Sequence, residues 1–480
     1  MNRVSQNVMK AWAGMGSRFL PFADAATPDL PLSRLLRLSL FQVSVGMALV
    51  LLIGTLNRVM IVELGVPASI VGTMISLPLI FAPLRAVIGF KSDTHQSALG
   101  WRRVPFMFRG AMVQFGGLAI MPFAILVLAG QGESAHAPSW IGYVSAGTAF
   151  LLVGAGLHTI QTVGLALATD LAPVSSRPKV VGLMYVMLLL GTIASALAFG
   201  AFLADFTPGR LVQVIQASAV LTLVLNGVAL WKQEARNRAV ASSVQAPVAF
   251  GESWRNFIGH GEAKRQLIAV GLGTMAFSME DVLLEPYGGQ VLGLSVGDTT
   301  KLTAALAIGG LLGFALASRV LSRGVDPFRM AGLGALIGIP AFAAVICAAP
   351  FASAWMFGTG TLMIGFGAGL FGHGTLTATM NLAPRSQSGL ALGAWGAVQA
   401  SAAGAAIALG GIIRDLVANF IPQDALGAAL GYDCVYGLEI LLLFTTLVTM
   451  FPFIRGRPAK GTAGQTERTN LALKPQRRAL

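Results

Sequence analysis

Residues 154–173 read GAGLHTIQTVGLALATDLAP, and residues 365–384 read GFGAGLFGHGTLTATMNLAP. The two stretches align without gaps, and both close on Leu-Ala-Pro. Each carries a single histidine, His158 or His373, within small and apolar residues. Extended upstream over equally apolar sequence, each run exceeds the roughly 20 residues that cross a bilayer as a helix, and the closing proline stops it. The same span thus occurs once in each half of the chain, which reads as two repeated units.

The rest of the sequence agrees with a membrane-embedded fold. A soluble domain carries about 25% charged residues, whereas this 480-residue chain has 11%, with 55% apolar residues and 58 glycines. Its mean hydropathy is +0.72. That shortage of solvating surface excludes a soluble enzyme and points to an all-α polytopic membrane protein. Twelve spans are legible, at roughly 36–62, 67–90, 104–129, 139–169, 179–204, 210–231, 267–292, 300–322, 328–349, 353–381, 388–413 and 432–454. The repeated stretch ends the fourth and the tenth. The expected organisation is a tail (1–33), a six-helix half (34–231), a basic linker (232–266), a second six-helix half (267–455) and a basic tail (456–480).

The net charge of +13 comes from 33 basic against 20 acidic residues. It marks loops, not a nucleic-acid partner. With the N-terminus inside, 27 of the 33 basic residues fall in the tails and the even-to-odd loops, so both termini are expected in the cytoplasm. No cleavable signal is visible. Val4, Val8, Trp12, Met15 and Phe19 recur at helical spacing, so the N-terminal tail either lies on the membrane surface or hangs free. Cys347 and Cys434 lie in separate spans with no disulfide or zinc spacing.

The loop after span 2 contains Gly89-Phe-Lys-Ser-Asp93 and then Gly100-Trp-Arg102-Arg103. It resembles the signature between spans 2 and 3 of the major facilitator superfamily, whose plan is likewise two six-helix halves joined by a basic loop. In that resemblance Gly89, Asp93, Arg102 and Arg103 form a structural and gating latch.

Ionisable groups inside a span are costly and therefore functional candidates. Span 7 places Glu280, Asp281 and Glu285 within six positions, ahead of Pro286-Tyr287-Gly288-Gly289. Asp281 and Glu285 share a helical face, and Pro286 with the glycines is expected to break the helix there. Three readings stand: proton or cation coupling, hydrogen bonding to a ligand, and a water-filled structural kink. Arg58, after Asn57 near the end of span 1, either snorkels to the interface or pairs with the span 7 acids. Arg85, near the inner end of span 2, reads as structural.

His158 and His373 lie deep in their spans among glycines, which let a flat, bulky group approach the backbone. A neutral imidazole in a dry groove is a good axial ligand for a metal inside a macrocycle. The competing reading is a histidine satisfied by a neighbouring carbonyl, with the glycines serving helix packing. No Walker A loop, dinucleotide fingerprint or HExxH is present, and nothing asks for catalysis.

Asn57-Arg-Val-Met-Ile-Val-Glu-Leu-Gly-Val-Pro67, Ile88-Gly-Phe-Lys-Ser-Asp-Thr-His95, Gly100-Trp-Arg-Arg-Val-Pro105 and Leu284-Glu-Pro-Tyr-Gly-Gly-Gln290 together resemble the PucC/LhaA family of purple phototrophic bacteria, a bacteriochlorophyll-delivery branch of the major facilitator superfamily. Size and the basic C-terminal tail lean towards the LhaA branch, which assembles light-harvesting 1, over the PucC branch of light-harvesting 2. The resemblance implies an assembly factor for the core antenna, with bacteriochlorophyll as guest and carotenoid as a candidate second pigment. Magnesium would enter only within the pigment.

The implied partners are the light-harvesting 1 alpha and beta polypeptides and the reaction centre. Pigment-synthesis enzymes and the membrane insertion machinery are further candidates. The implied place is the intracytoplasmic photosynthetic membrane, part of the bacterial inner membrane. Candidate pigment contacts are His158, His373, Glu280, Asp281, Glu285, Tyr287, Asn57 and Arg58. A proton-coupled transporter of a small solute and a pigment-free antenna scaffold are the alternatives.

Overall fold

In the computed structural model, residues 30–80, 85, 88, 91–92, 101–130, 136–173, 176–234, 261–382, 388–420 and 425–455 are described. Among them eleven helices are long and apolar enough to cross a bilayer, joined by a shorter apolar helix over Ala68–Leu79. We number the spans α1 (Leu32–Glu63), α2 (Ala68–Ile80), α3 (Val104–Leu128), α4 (Ser139–Leu171), α5 (Arg177–Phe202) and α6 (Pro208–Leu230). The second half holds α7a (Gly261–Ala276), α7b (Leu284–Gln290), α8 (Val296–Leu321), α9 (Pro327–Ala348), α10 (Ala354–Leu382), α11 (Ser388–Asn419) and α12 (Ala425–Arg455). The chain is a multi-pass, all-helical membrane protein with the two-half fold expected from its repeat. Leu171 and Leu382, aligned in that repeat, each end their helix.

Local chemistry sets the helix starts. Thr207 accepts a hydrogen bond from the Arg210 N–H ahead of Pro208 in α6, and Ser295 accepts one from the Asp298 N–H in α8. These are side-chain caps on N–H groups that no helical carbonyl can reach. Gly293 and Gly324, with φ of 65° and 87°, turn the chain into α8 and α9, a backbone region that side chains with a Cβ rarely enter. Outside, large apolar residues face the surroundings singly along the helices. Trp140, Phe202, Trp355 and Phe420 stand at one end, and Trp231 and Phe451 stand at the other. Aromatic residues collect in this way at the two interfaces of a bilayer.

The halves meet at the end where α1 passes into α2 and α7b into α8. There the Ser69 N–H donates to Asp415 Oδ2 at 2.7 Å, joining α2 to α11. Backbone also touches backbone: a Cβ on Gly297 would lie 2.6 Å from the Gly200 carbonyl oxygen, and one on Gly72 would lie 2.9 Å from that of Ile407. Glycine permits this spacing because helices without side chains between them approach closely. At the opposite, basic end lie Lys91, Arg102, Arg103 and the termini of the described chain.

Candidate functional site

The seam between α1 and α7 is built from reciprocal exchanges. Past Leu49 the turns of α1 widen into i→i+5 hydrogen bonding, over Val50–Leu56 and again over Val59–Glu63. Such turns are uncommon and gather at functional positions. Between them sit Asn57 and Arg58. Asn57 Nδ2 donates to the Ile53 carbonyl at 2.7 Å and to the Asp281 carbonyl at 3.1 Å. Arg58 Nη1 donates to Glu63 Oε1 at 2.7 Å, and Nη2 donates to the Leu294 carbonyl at 3.2 Å.

Glycine makes room on both sides. A Cβ on Gly289 would lie 2.7 Å from Arg58 Nη2, and one on Gly54 would lie 2.6 Å from Glu285 Oε1. Thr303 of α8 donates to the same Glu285 oxygen. Arg58 is only 3% exposed, so it does not snorkel. Its carboxylate partner is Glu63 of its own span, while it reaches across to the second half through a backbone carbonyl.

The break in span 7 falls earlier than expected. The helix stops at Ala276, makes a single tight turn over Glu280–Val282 and resumes at Leu284. Pro286 does not cause this. It sits in the first turn of α7b, where its missing N–H has no helical partner to lose. The break is held instead by Glu439 of α12, whose Oε1 accepts the Glu280 N–H at 2.7 Å. Sequence reading passed over Glu439, although a lone carboxyl in Leu438-Glu439-Ile440-Leu441 was the available signal.

Tyr287 packs edge-on against Tyr432 and Tyr436, with ring centroids 5.5 and 5.6 Å away, and its hydroxyl donates to the Val345 carbonyl. Glu280, Glu285 and Tyr287 are all buried, and Asp281 is half-buried. Of the expected pigment contacts in span 7, Asp281 alone keeps part of its side chain open; Glu285 lies against α1, while Glu280 and Tyr287 are buried within the second half.

The histidines occupy different settings, one in each half. His158 and His373 are both half-buried, and Nδ1 of each is buried without a hydrogen-bond partner. The His373 ring lies against Phe314 of α8, with centroids 4.3 Å apart. Around it the glycines are spent on helix packing: Gly369 faces the Gly310 carbonyl and Gly367 the Gly334 carbonyl, while Gly372 stands free. Gly154 and Gly156, beside His158, likewise take Pro78 and Gln114. The glycine pattern therefore reports tight helices, and the open edge at each site is the imidazole itself.

That edge fits an axial ligand for a magnesium macrocycle. Imidazole is the donor type such a group needs, each ring is partly exposed, and a bound pigment would supply light absorption, not bond chemistry. No hydrogen-bonding partner orients either ring through Nδ1, as a ligating histidine usually has.

At the basic end, among the described residues, Asp170 and Glu234 meet the two arginines of the expected latch. Gly89 and Asp93 lie outside the described residues. Arg102 Nη2 and Arg103 Nε both donate to Asp170 Oδ2, at 2.9 and 3.0 Å. Arg103 Nη1 donates to Ser92 Oγ at 2.6 Å. Glu234, just beyond α6, accepts from the backbone N–H groups of Arg102, Arg103 and Val104 at 2.8 to 3.1 Å. One knot thus fastens Ser92, the start of α3, the end of α4 and the residue just beyond α6.

A family model described as PUCC protein matches residues 55–457. The chain belongs to that family. A protein named PucC from Rhodovulum sulfidophilum is 64% identical over 420 residues, covering 87% of this chain and 92% of the relative. A Rhodobacter capsulatus protein described only by its place in the puhA-bchM intergenic region is 52% identical, covering 93% of this chain and 95% of its own. A further relative from that species, named bacteriochlorophyll synthase 44.5 kDa chain, is 27% identical over 89% of this chain and 96% of its own.

Among solved structures, a bacterial homologue of the human lysosomal transporter Spinster, in an inward-facing and unoccupied state, superposes with a TM-score of 0.65. It is 15% identical and covers 89% of this chain and 98% of that one. The fold of this PUCC family member is therefore that of the major facilitator transporters. Its role lies in the biogenesis of photosynthetic complexes.

Proposed function

We propose that the chain is a non-enzymatic assembly factor for a light-harvesting antenna. It holds bacteriochlorophyll, with carotenoid a candidate second guest, while antenna alpha and beta polypeptides are added around the reaction centre. It works in the photosynthetic inner membrane with both termini in the cytoplasm. The observation that carries this reading is the half-buried imidazole of His158 inside a membrane span, its Nδ1 without a hydrogen-bond partner, in a chain of this family. The name of the 27% identical relative supports a link to bacteriochlorophyll.

The sequence leaned towards the core antenna. The comparisons support the PucC branch, through a protein of that name that is 64% identical to this chain. Gentle purification from pigment-replete native membranes tests both points. Near-infrared absorbance is expected, and the antenna polypeptides that co-purify name the antenna. His158→Leu or His373→Leu should shift or remove a pigment band where that imidazole ligates magnesium. A colourless, partner-free preparation would overturn the proposal.

Transport of a small solute is the second reading, favoured by the half-buried Asp281 beside the seam. Loss of pH-driven uptake in Asp281→Asn, with antenna assembly intact, would put it first.

A further inference from the structure

Arg85 of the second span is held by two neutral groups of α4. Its Nε donates to Thr162 Oγ1 and its Nη2 to Gln161 Oε1, each at 2.9 Å. Among the described residues no carboxylate pairs with it, whereas Arg58 has Glu63 and the two latch arginines have Asp170. The residue is half-buried, and Nη1 makes no hydrogen bond among the described residues. A guanidinium offers five N–H donors in a rigid fork that matches carboxylate and phosphate. The two anchors fix the orientation of that fork and leave its other donors directed away from them.

His158 stands one turn before Thr162, on the same face of α4. It is an electrostatic neighbour of Arg85, as is Tyr185 of α5. A fixed, half-buried cation inside a membrane protein, with no carboxylate against it among the described residues, is costly unless something negative visits it.

We propose that Arg85, Gln161 and Thr162 form an oxyanion site that takes the carboxylate or phosphate of an amphiphile, with His158 beside it. The tetrapyrrole version of that ligand rests on the pigment reading above. For such a guest the site selects the magnesium tetrapyrrole whose propionate is a free acid over the same ring esterified, because the ester carries no charge for the guanidinium to meet. An anionic phospholipid presents the same chemistry through its phosphate.

The test uses the full chain in phosphatidylcholine nanodiscs, as wild type, Arg85→Gln and Arg85→Lys. Bacteriochlorophyllide free acid and its methyl ester are titrated by fluorescence, and phosphatidylglycerol retention is read by native mass spectrometry. The wild type is expected to bind the acid at least tenfold more tightly than the ester. Arg85→Gln should erase that preference, and Arg85→Lys should keep part of it, which guards against a variant that merely misfolds. Equal wild-type affinities for acid and ester, or a preference that survives Arg85→Gln, overturn the oxyanion site and leave the pigment reading standing. If neither tetrapyrrole binds while phosphatidylglycerol is retained in an Arg85-dependent way, the oxyanion site stands and the pigment reading falls. Retention of none of the three removes both.

Discussion

The two halves solve one problem, how to start the third helix of a six-helix unit, in different ways. In the second half α9 is capped by the residue just before it: Asp326 Oδ1 accepts from the Phe328 and Arg329 N–H groups at 2.8 and 3.2 Å. In the first half α3 is capped from a distance by Glu234, while its two leading arginines reach Asp170 on α4. At the position aligned with Asp170, the second half has Asn381, neutral and exposed. A local cap stabilises one helix, whereas a remote one ties several together. The basic end of the first half is therefore an ionic knot, and among the described residues the second half shows no counterpart to it. Charge in the second half is instead gathered at the break of span 7.

The largest expected effect strikes the seam that joins the halves. Glu63→Gln removes the carboxylate that Arg58 donates to, which costs about 3 kcal/mol after allowing for the 35% exposure of Glu63 and should appear as a large fall in apparent Tm in detergent. Asp170→Asn comes next. It removes the shared acceptor of two arginines, for about 2 kcal/mol after allowing for partial exposure. A Tm within a degree of wild type would dissolve the contrast between the halves.

Glu234→Gln and Asp326→Ala should each cost about 1 kcal/mol. Limited proteolysis separates them: the first loosens α6 from α3, and the second frays only the start of α9. The smallest effect belongs to Asn381→Ala, within about 0.5 kcal/mol as for most surface substitutions. A loss matching that of Asp170→Asn would show that the second half has an equivalent latch after all.

Hydropathy, basic loops and the Leu-Ala-Pro repeat made the twelve spans and two halves legible, and Leu171 and Leu382 end their helices where the repeat does. Such signals are local. What escaped reading depends on partners distant in sequence: Glu439 meets Glu280 across 159 positions, and Glu234 meets Val104 across 130. Pro286 drew attention as a helix breaker, yet a proline disrupts a helix only when a preceding turn offers a carbonyl to its absent N–H. In the first turn of α7b none does. The wide turns of α1 had no sequence mark beyond the polar pair Asn57-Arg58. The site was half legible: residue types flagged the histidines and span 7 acids, but burial decided which of them still face outward.

Where Gly297 meets Gly200, a single extra carbon would act as a shim. Alanine at position 297 would set its methyl 2.6 Å from a carbonyl oxygen, closer than real side-chain carbons come, and would prise the first turn of α8 from the last turn of α5. One added methyl would thus spread the two halves at the point where their backbones touch.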